Sequence, residues 1–424
     1  MGVYICRALS RVYLCSGSAG GRMWEEECQV RGALAVVLRC GRAAGVAPVR
    51  LARAGDGYRA RFCSRSALYG RVLVALLSLY PVAVDALGLD IMNLVAMYTR
   101  SELVSKMDLH LPQSFFLLFT FVINSLANRN FVYSMFGCLT VLQKINTNFN
   151  VRTETKHSVL SVIIVTGYCL IQIWDMSHEF KYCQDVVVVY LRFIAYLKYP
   201  MLIVMMIQVA LLYFEIHKAL EAIAEDLEGL IYAADDNKEE AKRCLRELNR
   251  RFLTVCDVST QMNKHTGLFC VIVFVFNILT MIDTSSYIAM HFIKNGYKIA
   301  DWWYISRHLV WFTQEVFRPI LFYEAFHQIN NEKTKIKYIM AKVMYQWTGC
   351  GELLCEELEL GAQQLLAHAA PVAPFGMLHY SRALLLTTFS VVMTYAIVEL
   401  QFKIVSVQPS NQDIQPLPFN TTLI

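Results

Sequence analysis

Seven stretches of this chain are long and apolar enough to cross a lipid bilayer, at 72–97, 114–141, 158–175, 186–214, 267–292, 303–325 and 377–404. A span needs roughly 20 mostly apolar residues to cover the hydrocarbon core. The second and fourth runs exceed that minimum, which tilt or extension into the cytosol accommodates. The first is interrupted by Pro81, Asp85 and Asp90. Barrel strands would alternate apolar and polar residues, whereas these runs are apolar all round, so the expected fold class is all-α, a polytopic membrane protein of seven transmembrane helices. Bulk composition agrees: 56% hydrophobic and 17% charged residues lie outside the range of ordinary soluble domains. The lipid bilayer is the first partner implied.

Loop charge sets the expected orientation. The basic region 1–71 carries Arg7, Arg11, Arg22, Arg31, Arg39, Arg42, Arg50, Arg53, Arg59, Arg61, Arg65 and Arg71. Arg152, Lys218, Arg250, Arg251 and Lys333 lie in connections on the same side. About 27 of the 39 basic residues fall on that side and about six on the other. With an odd number of spans, the N-terminus is expected in the cytosol and the C-terminus, with the tail 405–424, outside. That is the reverse of a G-protein-coupled receptor, and the Asp-Arg-Tyr and Asn-Pro-x-x-Tyr motifs of such receptors are missing too. A transporter would show two related halves, and no internal repeat is found.

Other classes fall on composition and motif. Arg7 and Arg11 break any signal-peptide core, and Cys6 stands where a myristoylation signal wants Ser or Thr. Residues 33–51 are too short and too basic to span and suit an interfacial helix. Most of the 13 cysteines fall in cytosolic parts or inside spans, where bridges are not expected, and Cys183 is the one in an external loop. Cys350 and Cys355 lack the partners of a zinc site. No P-loop, Gly-x-Ser-x-Gly or His-Glu-x-x-His motif appears, so no enzyme, metal or cofactor is expected. The mixed charges of the largest insertion argue against nucleic acid.

That insertion, 215–266, places Leu220, Ile223, Leu227 and Leu230 at helical spacing, breaks at Asp235-Asp236-Asn237, and resumes with Leu245, Leu248, Phe252 and Val255. The expectation is a cytosolic helical hairpin continuing the fourth span and leading into the fifth, within a transmembrane region 72–325. A second cytosolic connection, 326–376, interleaves Glu352, Glu356, Glu357 and Glu359 with leucines, as an amphipathic helix would.

The last span is the most informative. Thr387, Val391, Thr394, Val398 and Gln401 share one helical stripe, and Thr388, Val392, Tyr395, Glu399 and Phe402 the next. Polar groups are costly in hydrocarbon, so one side of this helix is expected to face water or protein. Thr394-Tyr395, five intervening positions and Gln401-Phe402 resemble the signature of the insect gustatory receptor family, within the seven-helix arthropod chemoreceptor superfamily. The approach Pro374-Phe-Gly-Met-Leu-His-Tyr-Ser-Arg-Ala-Leu-Leu is similar to a degenerate form of that family's lead into its last helix. Val37-Leu-Arg-Cys-Gly-Arg-Ala-Ala-Gly-Val-Ala-Pro48 is similar to its N-terminal Gly-x-x-Pro region. Glu399 departs from the pattern, which has a hydrophobic residue there. Sugar receptors carry a glutamate directly after the tyrosine, where this chain has Ala396.

The resemblance implies a ligand-gated, non-selective cation channel of four like or related subunits, in the plasma membrane of chemosensory neurons, opened by a small taste compound of bitter rather than sugar type. An odorant receptor of the same superfamily is the alternative. The last helix of each subunit would surround the pore, with Gln401 lining it and Val398 and Phe402 as gate candidates. Four amides can replace part of a cation's hydration shell, and apolar rings gate by dewetting. Glu399 either adds a ring of negative charge or pairs with a neighbour. Thr394 and Tyr395 are expected as packing residues. For the ligand, Trp303, Arg307 and Trp311 fall on one face at steps of four, with Asp283, Tyr287 and Trp174 in the outer parts of neighbouring spans. These residues form either an amphipathic pocket for a flat molecule or a structural Arg307–Asp283 pair with interfacial tryptophans. Asn420-Thr421-Thr422 is a glycosylation pattern, usable if the C-terminus is extracytosolic.

Overall fold

The computed structural model describes residues 27–55, 57–86, 129–145, 163–177, 186–233, 238–295, 302–347, 359–364, 373 and 380–407. In chain order these form β1 (Glu27–Val30), α1 (Gly32–Ala43), β2 (Val49–Ala54), β3 (Gly57–Phe62), α2 (Ser64–Ala86), α3 (Arg129–Ile145), α4 (Ile163–Ser177), α5 (Val186–Ala233), α6 (Lys238–Asn295), α7 (Trp302–Trp347) and α8 (Arg382–Val407). Residues 359–364 are helical as well.

Three of these helices, at Tyr199–Leu230, Glu239–Ile282 and Arg382–Phe402, are long and apolar enough to cross a membrane, and Ile163–Ser177 is a shorter apolar helix. The molecule is mostly helical, but not wholly: β1, β3 and β2 form a three-stranded antiparallel sheet in that spatial order. The purely helical expectation is corrected here. Two of the strands form a local unit: Val49 to Phe62 is a tight hairpin with Gly55, at φ +56°, in the turn, the left-handed conformation glycine tolerates. Residues 33–51, expected as one interfacial helix, divide into α1 and the start of β2, and Arg50, Arg59 and Arg61 stand on the open face of the sheet. Glu27 bridges Arg59 and Arg61 across β1 and β3 at 3.4 and 3.5 Å, while the opposite face buries Cys28, Val30, Val49 and Ala60.

Helix α1 ends in a Schellman motif. Gly45, at φ +75°, donates to the Arg42 carbonyl at 3.2 Å, and Val46 donates to Gly41 at 2.8 Å. The Gly-x-x-Pro run therefore has a backbone reason. Gly41 also brings α1 against α5: a Cβ there would lie 3.5 Å from Val204 and 2.9 Å from Ala47.

The helical core is built on α5, α6 and α7, which run far beyond the length of a span. Leu220, Ile223, Leu227 and Leu230 of α5 and Leu245, Leu248, Phe252 and Val255 of α6 are all buried, so the apolar seam of 215–266 is the packing seam of two long helices. The break at Asp235–Asn237 lies outside the described residues, as do the carboxylates Glu352, Glu356 and Glu357. Two described residues between α7 and α8 touch α6: Gln364 hydrogen-bonds Asn249, and the Ala373 carbonyl accepts from Asn263 at 2.9 Å.

Candidate functional site

Helix α8 is held at its base and bare along its length. Ser381 caps it, its hydroxyl accepting from the Leu384 amide at 3.2 Å. Arg382 grips both carboxylate oxygens of Glu324 on α7, at 2.9 and 3.3 Å. Tyr380, fully buried just before the helix, donates to the Cys270 carbonyl at 2.8 Å and sits among Phe274, Phe322, Tyr323 and Phe326. Higher up, Tyr323 donates to Thr388, 3.4 Å away, because the threonine's own proton is used on the Leu384 carbonyl at 2.8 Å.

Among the described side chains of α8 one stripe turns inward, Thr388, Val392 and Ala396, whose small side chains admit close approach to α6 and α7. The chain itself covers 18% of the apolar stretch of α8, against 78% for α5 and 39% for α6. Val391, Met393, Tyr395, Ile397, Val398 and Phe402 are exposed, Phe402 to 74%, and so is Gln401. Thr394 and Tyr395, expected as packing residues, lie off the inward stripe. Tyr395 is 50% exposed, and the Thr394 hydroxyl returns to the Ser390 carbonyl at 2.8 Å. The inward stripe passes through Ala396, one residue round the helix. The side chain of Glu399 lies outside those described.

The expected ligand residues are only partly placed. The side chains of Asp283, Tyr287, Trp303 and Arg307, and all of Asn420, lie outside the described set. Trp174 is half-buried on α4. Trp311 is central: its indole N–H donates to Asp175 Oδ2 on α4 at 2.9 Å, and its ring meets Tyr199 of α5 edge-on at 5.0 Å. One turn along α7, Glu315 lies 2.9 Å from the Thr280 hydroxyl of α6. Asp175 and Glu315 are 0% and 2% exposed. Gln172 is one turn from Asp175, Asn277 one turn from Thr280, and Gln314 beside Glu315. The amides of Gln172 and Gln314 and the Asn277 carbonyl oxygen are buried without a hydrogen-bond partner among the described residues.

Four helices thus converge on carboxylates, amides and an indole inside an apolar bundle. Such an array is costly in low dielectric unless it is matched by hydrogen bonds, and it can grip a small molecule offering both donors and acceptors. The sequence reading named Trp311 but missed Asp175, Glu315, Gln172, Asn277 and Gln314. Their signal was available, since polar side chains within apolar runs are functional candidates by their cost alone. Among the described residues no three His, Cys, Asp or Glu side chains are placed to hold a metal ion.

A family model described as 7tm Chemosensory receptor matches residues 34–406. The chain belongs to that family. The receptor also shares its fold with the insect olfactory receptor OR5 from Machilis hrabei. The TM-score is 0.59 at 10% identity, covering 87% of the receptor and 97% of that chain. The structure of OR5 in complex with eugenol matches over the same shares, with a TM-score of 0.56 and 11% identity. At such identity the likeness concerns the fold alone. No curated protein matches the receptor by sequence. It is a chemosensory membrane receptor and not an enzyme.

Proposed function

We propose that the receptor is a gustatory, ligand-gated, non-selective cation channel, assembled from four subunits around their α8 helices and opened by a small taste compound of bitter type. The observation that carries this reading is the coverage of α8. It is anchored firmly at its base, holds the Thr394-Tyr395 to Gln401-Phe402 motif, and is the least covered of the three long apolar helices. A helix with that motif on bare faces fits a position between subunits. In this arrangement Gln401 faces the ion path, Val398 and Phe402 narrow it, and Glu399 either adds negative charge to it or pairs with a neighbour.

The polar centre around Trp311, Asp175 and Glu315 is the proposed ligand site, with Trp174 beside it and Arg307, Trp303, Asp283 and Tyr287 contributing from the same spans. Indole and phenol planes stack a flat molecule while the carboxylates and amides fix its orientation. Because α7 carries both Trp311 and the Glu324 and Tyr323 contacts to α8, one helix links ligand to pore.

The test is whole-cell current in cells expressing the receptor, alone and with related subunits, under bitter plant compounds, sugars and volatile odorants. A ligand-evoked cation current is expected. Gln401→Ala and Glu399→Leu should change its permeability ratios, and Asp175→Asn should raise the concentration needed for half activation about tenfold, the worth of one lost charge-assisted hydrogen bond. A response carried only through G proteins, with no current of its own, would overturn the proposal; responses confined to volatile odorants would favour the odorant reading.

A further inference from the structure

Where α1, β2 and α2 meet, an open cleft of about 660 Å³ is lined by Arg42, Arg50, Cys63, Arg65, Ser66 and Tyr69. Three elements bring the arginines together: Arg42 from the last turn of α1, Arg50 from β2 and Arg65 from the first turn of α2. Arg42 has a structural reason, since a cation at a helix C-terminus complements the macrodipole. Arg50 and Arg65 have the opposite. Arg50 is paired across the sheet with Arg61, and like charges facing each other destabilise a ladder. Arg65 stands in the first turn of a helix whose dipole already favours negative charge and which has no acidic residue there.

None of the three forms an ion pair among the described residues, and the nearby carboxylate, Glu27, is engaged by Arg59 and Arg61. Cys63 lies in the same cleft, and chiefly its hydrogen bonds with Ser66, with smaller help from the Arg65 backbone and the charge of Arg42, hold its thiol below its ordinary range against opposing desolvation. Three guanidiniums and a helix N-terminus around one cleft are an unfavourable arrangement that a bound anion relieves.

We propose that this cleft is a binding site for a phosphate group, with the Arg42, Arg50 and Arg65 guanidiniums and the Ser66 hydroxyl as its donors. The surroundings point to a phospholipid headgroup as the source. Leu68, Val72 and Leu76 lie at steps of four on α2 directly beyond the cleft and are all exposed, an apolar track on which acyl chains lie while the headgroup stays among the arginines. With the N-terminus in the cytosol, as loop charge suggests, the leaflet concerned is the anionic one.

The test uses the whole receptor in phosphatidylcholine nanodiscs with and without a minor fraction of phosphatidylinositol bisphosphate, and separately with inorganic phosphate. The readout is the maleimide alkylation rate of Cys63, followed peptide by peptide by mass spectrometry, with exposed Cys244 as the internal control. The lipid is expected to slow Cys63 alkylation several-fold and leave Cys244 unchanged. Each of Arg42→Gln, Arg50→Gln and Arg65→Gln should weaken the lipid dependence about fivefold, and Arg53→Gln, outside the cleft, should not. Arg50→Lys, which keeps charge and fold, guards against a misfolded variant and should retain protection. Equal protection by inorganic phosphate would keep the site and assign it a soluble phosphate. Unchanged Cys63 reactivity in both arms, or protection that survives all three Gln variants, would overturn the proposal.

Discussion

Gly70 and Gly45 show how much a missing side chain decides. A Cβ on Gly70 would lie 2.0 Å from the Gly45 carbonyl oxygen, a backbone atom that cannot move aside, and Gly45 itself needs φ +75°. Helix α2 is therefore seated against the end of α1 only while both are glycine. Gly70→Ala should cost about 2 kcal/mol or more by overpacking, and limited proteolysis should show faster cleavage between β3 and α2. Lys333 makes a different residue-scale case. It is buried on α7, and loss of solvent holds its ammonium below the ordinary 10.5. The unfolded chain then binds the proton more tightly than the folded one, so this residue opposes folding at neutral pH, and the opposition fades as pH rises through the lowered value toward 10.5. Lys333→Met should raise the thermal midpoint at pH 7, with the gain over wild type shrinking under alkaline conditions; a pH-independent difference would contradict the assignment.

At the scale of elements, α8 is a helix whose base is specified and whose flanks are left open. Tyr380, Ser381 and Arg382 are consecutive, and each fixes it differently: a buried ring with one hydrogen bond, a cap and an ion pair. Tyr380→Phe should cost about 1 kcal/mol, the net worth of one hydrogen bond, and Tyr380→Ala about 4 kcal/mol, because a large buried ring is removed. Ser381→Ala should cost about 1 kcal/mol. Thermal unfolding of the three variants in one detergent separates packing from hydrogen bonding: equal losses for Phe and Ala at 380 would mean the aromatic cluster contributes nothing. The run from Pro374 to Leu385 was legible as a lead into the last helix. That Tyr380 is its buried keystone was not, because its partners come from α6 and α7, more than 50 positions away in sequence.

At the scale of the molecule, the proposed assembly predicts which faces of α8 meet another subunit. Val398→Cys should give an oxidative cross-link between protomers that wild type lacks, and Ala396→Cys, on the buried stripe, should not; denaturing gels of oxidised membranes decide it. Membrane character, dominance of helices and the apolar seam of α5 and α6 follow from the sequence alone, because apolar run length and 3.6-residue spacing are local properties that lipid and a neighbouring helix read directly. The turn at Gly45 to Pro48 is local too, since a Schellman motif is closed within six residues, although 33–51 reads as a single helix in the sequence. Tertiary structure alone decided the three-stranded sheet, whose pairing joins Glu27 to Arg61. It decided the polar centre, where Asp175 meets Trp311 and Thr280 meets Glu315, and the convergence of Arg42, Arg50 and Arg65 on one cleft. In each, the partners are distant in the chain or lie on separate elements, and no local pattern records which of them will be neighbours. The choice of Ala396 over Tyr395 as the inward residue of α8 has the same origin: the rotation of a helix about its axis is set jointly by its own residues and by the surface it packs against.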